Sequence, residues 1–212
     1  MTEKLPIAVM ISGSGSNLQA IIDSKKEDLL DVDIKVVVSS KADAFGLERA
    51  KKAGIPTEVF GLHDFKTANP QGLRQDYDVA LADIVLRYKP KLVVLAGWML
   101  VLGARFLHKF PQKVINLHPA LLPSFPGAHG VEDALAYGVR FTGCTIHIVD
   151  TGVDTGPIIL QAVVPIGPKD TVESLHEKIH KEEHRIFPQA IQLFAENRIK
   201  LEGRKVIIKD KE

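Results

Sequence analysis

The stretch that decides the fold lies near the start of the chain. Residues 7–17 read IAVMISGSGSN, an apolar, partly β-branched run followed by a turn of alternating serine and glycine. Such a run is typical of a buried parallel strand, and a glycine-rich turn after it is typical of a strand-to-helix junction in α/β proteins. The free backbone N–H groups and the positive end of the helix at such a junction favour an anion, so the stretch predicts a phosphate site.

The residues around the turn exclude two common nucleotide-binding loops. A dinucleotide fingerprint would need a third glycine at Leu18 and an acidic residue where the second strand ends, at Ser39 and Ser40. A Walker loop would need Gly-Lys-Ser/Thr after the turn, and this chain has none there. The pattern therefore favours a single phosphomonoester, although a plain turn with a Ser or Asn helix cap also fits it.

Short apolar runs alternate with longer amphipathic stretches along the chain. This alternation predicts βαβ units, and thus a Rossmann-like, mostly parallel twisted α/β sheet with helices on both faces. The expected strands are Ile7–Ile11, Ile34–Val38, Thr57–Phe60, Leu92–Ala96, Val114–Leu117, Thr142–Val149 and Ile158–Val164. The expected helices are Asn17–Lys25, Ala44–Ala53, Leu73–Tyr88, Ala104–Lys109, Val131–Tyr137 and Thr171–Ala195, the last entered or kinked near Pro188.

The chain length predicts one domain with a single core, residues 1–212. We expect its first half, residues 1–100, to bind a phosphate or nucleotide, and its second half, residues 101–212, to carry the chemistry. The tail around Gly203 has the pattern of a hairpin between Ile199 and Ile208.

Composition and charge exclude several classes of partner. The chain has 27 basic and 26 acidic residues and a formal net charge of +1, with no basic run that would bind nucleic acid or a membrane surface. Cys144 is the only cysteine, so no intramolecular disulfide can form. The apolar runs are shorter than the ~20 residues of a spanning helix, and no signal segment precedes the first strand. We expect a cytoplasmic protein. The sequence does not determine its oligomeric state, and a homodimer is one of the alternatives.

Three polar residues are candidates for an acyl-transfer site, although an Asn-x-His pair alone also fits a strand end whose polar groups bond to neighbouring backbone. Asn116 and His118 lie two residues apart at the end of a predicted strand, so both side chains face the same side. Pro119 ends that strand at its carboxyl edge, where open α/β sheets bind ligands. Amide and imidazole N–H groups can stabilise the oxyanion of a tetrahedral intermediate, and a histidine oriented by a carboxylate can move protons. Asp154, in a glycine-rich loop between two strands, is the candidate carboxylate.

With these residues in place, the sequence resembles the glycinamide ribonucleotide formyltransferases, folate-dependent enzymes of purine synthesis and one-carbon metabolism. The resemblance covers nearly the whole chain. It rests on three segments: residues 11–20, residues 41–50, and Asn116 to Pro123 followed by Phe125-Pro126-Gly127. Asp154 falls where that family places its catalytic aspartate. The resemblance thus implies a trio of Asn116, His118 and Asp154, with direct attack by the substrate amine.

The same resemblance implies the ligand sites and the substrates. Gly15, Ser16 and Asn17 would hold the phosphate of glycinamide ribonucleotide, and Glu183 would lie near its ribose. The co-substrate would be 10-formyltetrahydrofolate, with no metal. The residues implied to line the folate pocket are Arg74, Met99, Leu100, Val101, Leu102 and the backbone from Asp150 to Asp154.

Several alternative interpretations stay open at this point. One is another amine formyltransferase, or a formyltetrahydrofolate hydrolase, of the same superfamily. The formyltransferase that acts on methionyl-tRNA and the hydrolase each carry a further domain, which we do not expect in this chain. A second is a phosphate-binding module without catalysis. A third is a zinc site, because His176, His180 and His184 include the spacing of a helical zinc-protease motif, although the glycine of the extended form is missing. His129 and His147 could orient His118 or be interior histidines.

Overall fold

The structure is a computed structural model that describes residues 4–211. It divides into two compact units, the first ending at Ile115 and the second beginning at Asn116. The expected ligand-binding halves, residues 1–100 and 101–212, remain a prediction. No helix among residues 4–211 is both long and apolar enough to cross a membrane.

The first unit alternates strands and helices. Its elements are β1 (Leu5–Ile11), α1 (Ser16–Lys26), β2 (Val32–Ser39), α2 (Gly46–Lys52), β3 (Thr57–Val59), α3 (Leu62–Ala68), α4 (Arg74–Leu86), β4 (Leu92–Leu95) and α5 (Ala104–Leu107). Strand β5 (Val114–His118) begins in this unit and ends in the second. The second unit continues with α6 (Gly130–Tyr137), β6 (Phe141–Ile148), β7 (Ile158–Pro165), α7 (Val172–Ala195), β8 (Ile199–Glu202) and β9 (Lys205–Ile208).

The strands form the predicted sheet. Strands β1 to β7 have the order β3-β2-β1-β4-β5-β6-β7, and β8 pairs with β9 in a separate antiparallel hairpin. The pairs β1–β2, β1–β4 and β2–β3 are parallel, whereas β6–β7 is antiparallel. The expectation of a mostly parallel α/β sheet is therefore confirmed, and so is the C-terminal hairpin.

Burial follows the sequence pattern. Residues 7–11 of β1 are fully buried, as expected for a strand covered on both faces, and α1 buries Leu18, Ile21 and Ile22 on one side. Helix α7 packs against β6 and β7. Its buried apolar residues recur at helical spacing and include Leu175, Ile179, Ile186, Phe187, Ala190 and Ile191. Burying each large side chain contributes about 1.5–3 kcal/mol, which fixes the long helix on the sheet.

Two elements differ from expectation. Helix α3 was not predicted, because it is only seven residues long and buries none of them. It is held mainly by Phe65, whose ring packs edge-on against the rings of Phe60 and Tyr77. Helix α7 is one continuous element with Pro188 inside it, so the helix is not entered at that residue. The buried residues on both sides of Pro188 keep the helix on the sheet despite the lost backbone donor.

Candidate active site

The glycine-rich turn in the first unit opens helix α1. Gly15 has a φ of 69°, in the left-handed region that glycine adopts without strain, and Ser16 and Asn17 begin the helix. The N-cap residue of α1 is Gly15, which has no side chain that could accept from the first turn of the helix. The backbone N–H groups of its first turn are therefore suited to an anion, as the sequence predicted.

A second glycine supports this turn from helix α2. A Cβ atom on Gly15 would lie 2.6 Å from the Cα atom of Gly46, and a Cβ on Gly46 would lie 3.2 Å from the Cα of Gly15. The Gly46 N–H also donates to the Gly13 carbonyl at 3.0 Å. Arg49 of α2 donates to the Ser14 carbonyl at 2.9 Å and so places a positive charge beside the turn. Neither Gly46 nor Arg49 was predicted from the sequence to contact this turn.

The residues of the first unit that were predicted to bind folate differ in their surroundings. Some are exposed to solvent, and others are buried or paired with protein groups. Arg74 is ion-paired with the buried carboxylate of Asp78 and donates to the Val101 carbonyl. Met99 and Val101 are 66 and 62% exposed, so their apolar side chains are available to a ligand. Leu102 is buried, so its side chain contributes to the core.

In the second unit, strand β5 ends with the predicted pair. His118 is 3% exposed and Asn116 is half-buried, and both reach the carboxylate of Asp154. Asn116 donates an amide N–H to Asp154 Oδ1 at 3.4 Å, and His118 Nδ1 lies 3.3 Å from Asp154 Oδ2. The structure thus brings the three predicted residues together, on a strand end and a loop that are 36 residues or more apart in sequence.

The loop that carries Asp154 follows strand β6. Asp154 has a φ of 53°, in the left-handed region, which costs a residue with a side chain about 1–3 kcal/mol. A backbone donor from another loop holds the carboxylate in place, since the Gly127 N–H donates to Asp154 Oδ2 at 2.8 Å. Gly127 was recognised in the sequence only as part of a motif, and this contact gives it a specific role in orienting Asp154.

Both ring nitrogens of His118 face acceptors. Nδ1 faces the Asp154 carboxylate, and Nε2 lies 2.7 Å from the carbonyl oxygen of Phe125. Only the doubly protonated ring can donate to both at once, so this arrangement suits the imidazolium. It also means that Nε2 must release the Phe125 carbonyl before it can donate to a substrate oxygen.

The surroundings of Asp154 favour its charged form. Burial by itself would raise the pKa of Asp154, but hydrogen bonding from His147 and the Gly127 N–H, together with the nearby His118 and His147, outweighs burial and holds the pKa below its usual value. A carboxylate of this kind is a weak base, and its charge stabilises a protonated His118.

His147 is the fourth member of the group. Its Nδ1 lies 3.1 Å from the Ile148 carbonyl and must donate to it. Its Nε2 lies 3.2 Å from Asn116 Nδ2 and 3.5 Å from Asp154 Oδ1, so Nε2 accepts from Asn116 in the neutral ring and donates to Asp154 in the doubly protonated ring. The pairing of β6 with β7 shifts register between Ile146 and His147, an irregularity of the kind that redirects side chains near active sites. His147 therefore belongs to the group of side chains around Asp154, whereas His129 is exposed at the start of α6.

Comparison with known proteins shows the family of this chain. Residues 5–191 match the family described as formyl transferase. The chain belongs to the formyl transferase family. This confirms the resemblance noted in the sequence.

The proteins that are similar to this formyl transferase include some of about its own length and some that are much longer. A phosphoribosylglycinamide formyltransferase from Dictyostelium discoideum is 45% identical, covering 89% of this chain and 97% of its own length. The crystal structure of glycinamide ribonucleotide transformylase 1 from Symbiobacterium toebii has a TM-score of 0.93 and 46% identity, covering 99% of this chain and 96% of that one. The trifunctional purine biosynthetic protein adenosine-3 of Bos taurus is 44% identical over 94% of this chain, which spans only 19% of that protein's length.

Two further residues predicted to bind ligands, Asp150 and Glu183, both make polar contacts in the second unit. Asp150 accepts hydrogen bonds from the Gly152 N–H and the Thr155 hydroxyl, so it shapes the loop of Asp154. Glu183 on α7 is buried, with His180 Nε2 3.8 Å from its carboxylate. The roles of these two residues in binding ligands stay predictions.

Two further features are the buried Cys144 and the three histidines of α7. Burial raises the pKa of Cys144 to about 12, so its thiol is unreactive at neutral pH. His176, His180 and His184 form a row on α7 with ring centroids 5.6 and 6.2 Å apart. Among residues 4–211, no group of three or more His, Cys, Asp or Glu side chains is arranged to hold a metal ion.

Proposed function

We propose that this formyl transferase moves the formyl group of 10-formyltetrahydrofolate to the amine of glycinamide ribonucleotide, a step of de novo purine synthesis. The observation that carries the proposal is the Asp154 carboxylate, which contacts both His118 and Asn116 at the end of β5. Support also comes from relatives named for this activity that match the chain over most of their length.

The reaction begins with direct attack by the substrate amine on the formyl carbon. The carbonyl oxygen becomes an oxyanion, and the amine nitrogen becomes positively charged. In our proposal His118 Nε2 leaves the Phe125 carbonyl and donates to the oxyanion, while the Asn116 amide supports the same intermediate. Losing one such donor costs about 3–4 kcal/mol in comparable acyl-transfer sites.

Proton transfer completes the exchange. The attacking nitrogen loses a proton, the bond between the formyl carbon and the folate nitrogen breaks, and that nitrogen gains a proton as tetrahydrofolate leaves. Asp154 remains a carboxylate and stabilises the positive charge of His118, consistent with its lowered pKa. No covalent enzyme intermediate is needed, because the amine is itself the nucleophile.

Binding of the two substrates is assigned to separate groups of residues. Gly15, Ser16 and Asn17 would hold the phosphate through the helix start. The residues proposed to bind folate are Arg74, Met99, Leu100, Val101, Leu102, Asp150 and Asp154. Because the exposed Met99 and Val101 side chains are apolar, they suit the flat ring system of a folate.

A panel of acceptors with one formyl donor tests the proposal. Purified protein would receive 10-formyltetrahydrofolate together with glycinamide ribonucleotide, its dephosphorylated form, an amino sugar linked to a nucleotide, or no amine. We expect rapid formylation of glycinamide ribonucleotide only, without added metal. Hydrolysis of the folate at the same rate without any amine would instead identify a deformylase and contradict the proposal.

A further inference from the structure

The C-terminal hairpin reaches the loop that carries Asp154. Strands β8 and β9 are joined by a turn in which Gly203 has a φ of 60°, and β9 packs against β7. Arg204, at the tip of this turn, donates from Nη2 to the carbonyl oxygen of Thr155 at 2.7 Å. The hairpin lies outside residues 5–191, the part that matches the formyl transferase family.

We infer that Arg204 is a positioning residue for Asp154. The inference rests on the proposed function, because it assigns to Arg204 the task of holding the carboxylate that contacts His118. Arg204 does not touch the reacting atoms in this proposal. It acts through the peptide group between Thr155 and Gly156, one residue beyond Asp154.

The loop itself needs external support at this peptide. Within the loop, Asp150 Oδ1 accepts from the Gly152 N–H at 3.1 Å and from the Thr155 hydroxyl at 2.6 Å, which closes a small internal ring. Asp154, inside that ring, has the left-handed backbone that disfavours residues with side chains. A charged donor on the Thr155 carbonyl makes a strong hydrogen bond and so holds the peptide between Thr155 and Gly156, next to the Asp154 residue, in one orientation.

Asp154 is thus held from two directions. Its side chain accepts from the Gly127 N–H, and the backbone immediately after it accepts from Arg204. Loss of the side-chain contact would free the carboxylate, whereas loss of the Arg204 contact would free the backbone that aims it. Small displacements of an orienting carboxylate weaken catalysis, because the His118 ring depends on its direction.

The hairpin is anchored firmly enough to act as a support. Arg198, between α7 and β8, donates from Nε to the Lys209 carbonyl at 2.6 Å. Its Nη1 also contacts Glu196 at 3.0 Å, and Lys211 contacts the other oxygen of Glu196 at 2.8 Å. Hydrogen bonds with Lys211, Arg198 and Gln192 lower the pKa of Glu196 to about 2, so this group of contacts persists at neutral pH.

Steady-state kinetics of three variants test the inference. In Arg204→Ala we expect kcat to fall about fivefold to tenfold, with KM for glycinamide ribonucleotide unchanged, because an exposed hydrogen bond contributes modestly and the phosphate is bound elsewhere. Arg204→Lys keeps a charged donor and should recover part of the loss. Lys205→Ala removes the neighbouring exposed charge and serves as the matched control, with wild-type kcat.

Amide hydrogen exchange gives a readout that does not depend on activity. We expect Arg204→Ala to speed exchange of the Gly152 amide, which is bonded to Asp150 inside the loop, while amides of β6 and α7 exchange as in the wild type. Unchanged exchange at Gly152 together with unchanged kcat would overturn the inference. If the wild type formylates no amine, the proposed function fails, but the exchange result still decides whether Arg204 orders the loop.

Discussion

Asp154 Oδ2 lies 3.3 Å from Nδ1 of His118 and accepts the Gly127 N–H at 2.8 Å. One carboxylate oxygen therefore joins a histidine at the end of a strand to the backbone of a neighbouring loop. The other oxygen contacts Asn116 and lies 3.5 Å from His147. Four polar groups thus contact the same carboxylate, and substitutions at the site should act through these contacts.

The first prediction concerns that charge. Asp154→Asn should lower kcat by about 10³-fold, because an amide cannot accept from Gly127 and Asn116 at once and cannot stabilise a protonated His118. KM for glycinamide ribonucleotide should change little, since the phosphate turn is built by other residues. Kinetics of the purified variant would test this, with the exposed Asp133→Asn on α6 as a control of unchanged rate. A wild-type kcat in Asp154→Asn would refute the assigned role.

The second prediction is a pH dependence of stability. The pKa of Asp154 in the folded protein lies below its unfolded value, which is about 3.9. The carboxylate therefore adds to the free energy of unfolding above that pH, and this contribution is lost as the pH falls through the lower folded pKa. Urea unfolding should show wild type and Asp154→Asn differing more at about pH 6 than at about pH 3. A difference that grows on acidification would contradict the lowered pKa.

The third prediction concerns the turn from Gly13 to Gly15, which we propose binds the phosphate. Gly46→Ala would place a Cβ 2.5 Å from Ile11 Cδ1 and 3.2 Å from the Cα of Gly15, so the turn must shift. Overpacking of this size costs about 1–3 kcal/mol, and we expect KM for glycinamide ribonucleotide to rise about tenfold with a smaller effect on kcat.

Gly13→Ala provides the comparison for Gly46→Ala. A Cβ on Gly13 meets nothing within 4 Å, and its backbone is not left-handed, so KM should rise much less. Equal effects of the two substitutions would show that the contact between α2 and the turn is unimportant for binding.

The fourth prediction concerns His147. His147→Phe removes the acceptor for the Asn116 amide, and leaving that donor unpaired should lower kcat about tenfold. His147→Gln can still accept from Asn116 through its side-chain carbonyl and should lose less. Measured kcat values in the order wild type, Gln variant, Phe variant would support the role, and equal values for all three would exclude it.

Much of the fold follows from the sequence because the decisive patterns are local. The buried run of β1, the glycine turn and the long apolar face of α7 each predict their own element. Helix α3 lacks such a pattern, since its place depends on Phe65 packing against aromatic rings from other elements. No local signal in a seven-residue exposed stretch could have revealed those contacts.

The candidate site was predictable only in part for the same reason. The spacing of Asn116 and His118 on one strand places them together, and the glycine-rich loop pointed to Asp154, which the family resemblance supports. The contacts of Phe125 with His118, of Gly127 with Asp154 and of Arg204 with Thr155 are made by backbone groups or by residues distant in sequence. Phe125 and Gly127 lie in a segment of the family resemblance, but their residue types do not show which side chains their backbone groups contact, so only the structure reveals these contacts.

The most direct test of the account is a double-mutant cycle between His118 and Asp154, measured as formylation of glycinamide ribonucleotide. Two residues that act as one unit should not contribute independently. We predict that His118→Ala with Asp154→Asn is about as slow as the slower single variant. Losses that multiply in the double variant would mean that the two residues act separately, and the proposed coupling of carboxylate and histidine would be wrong.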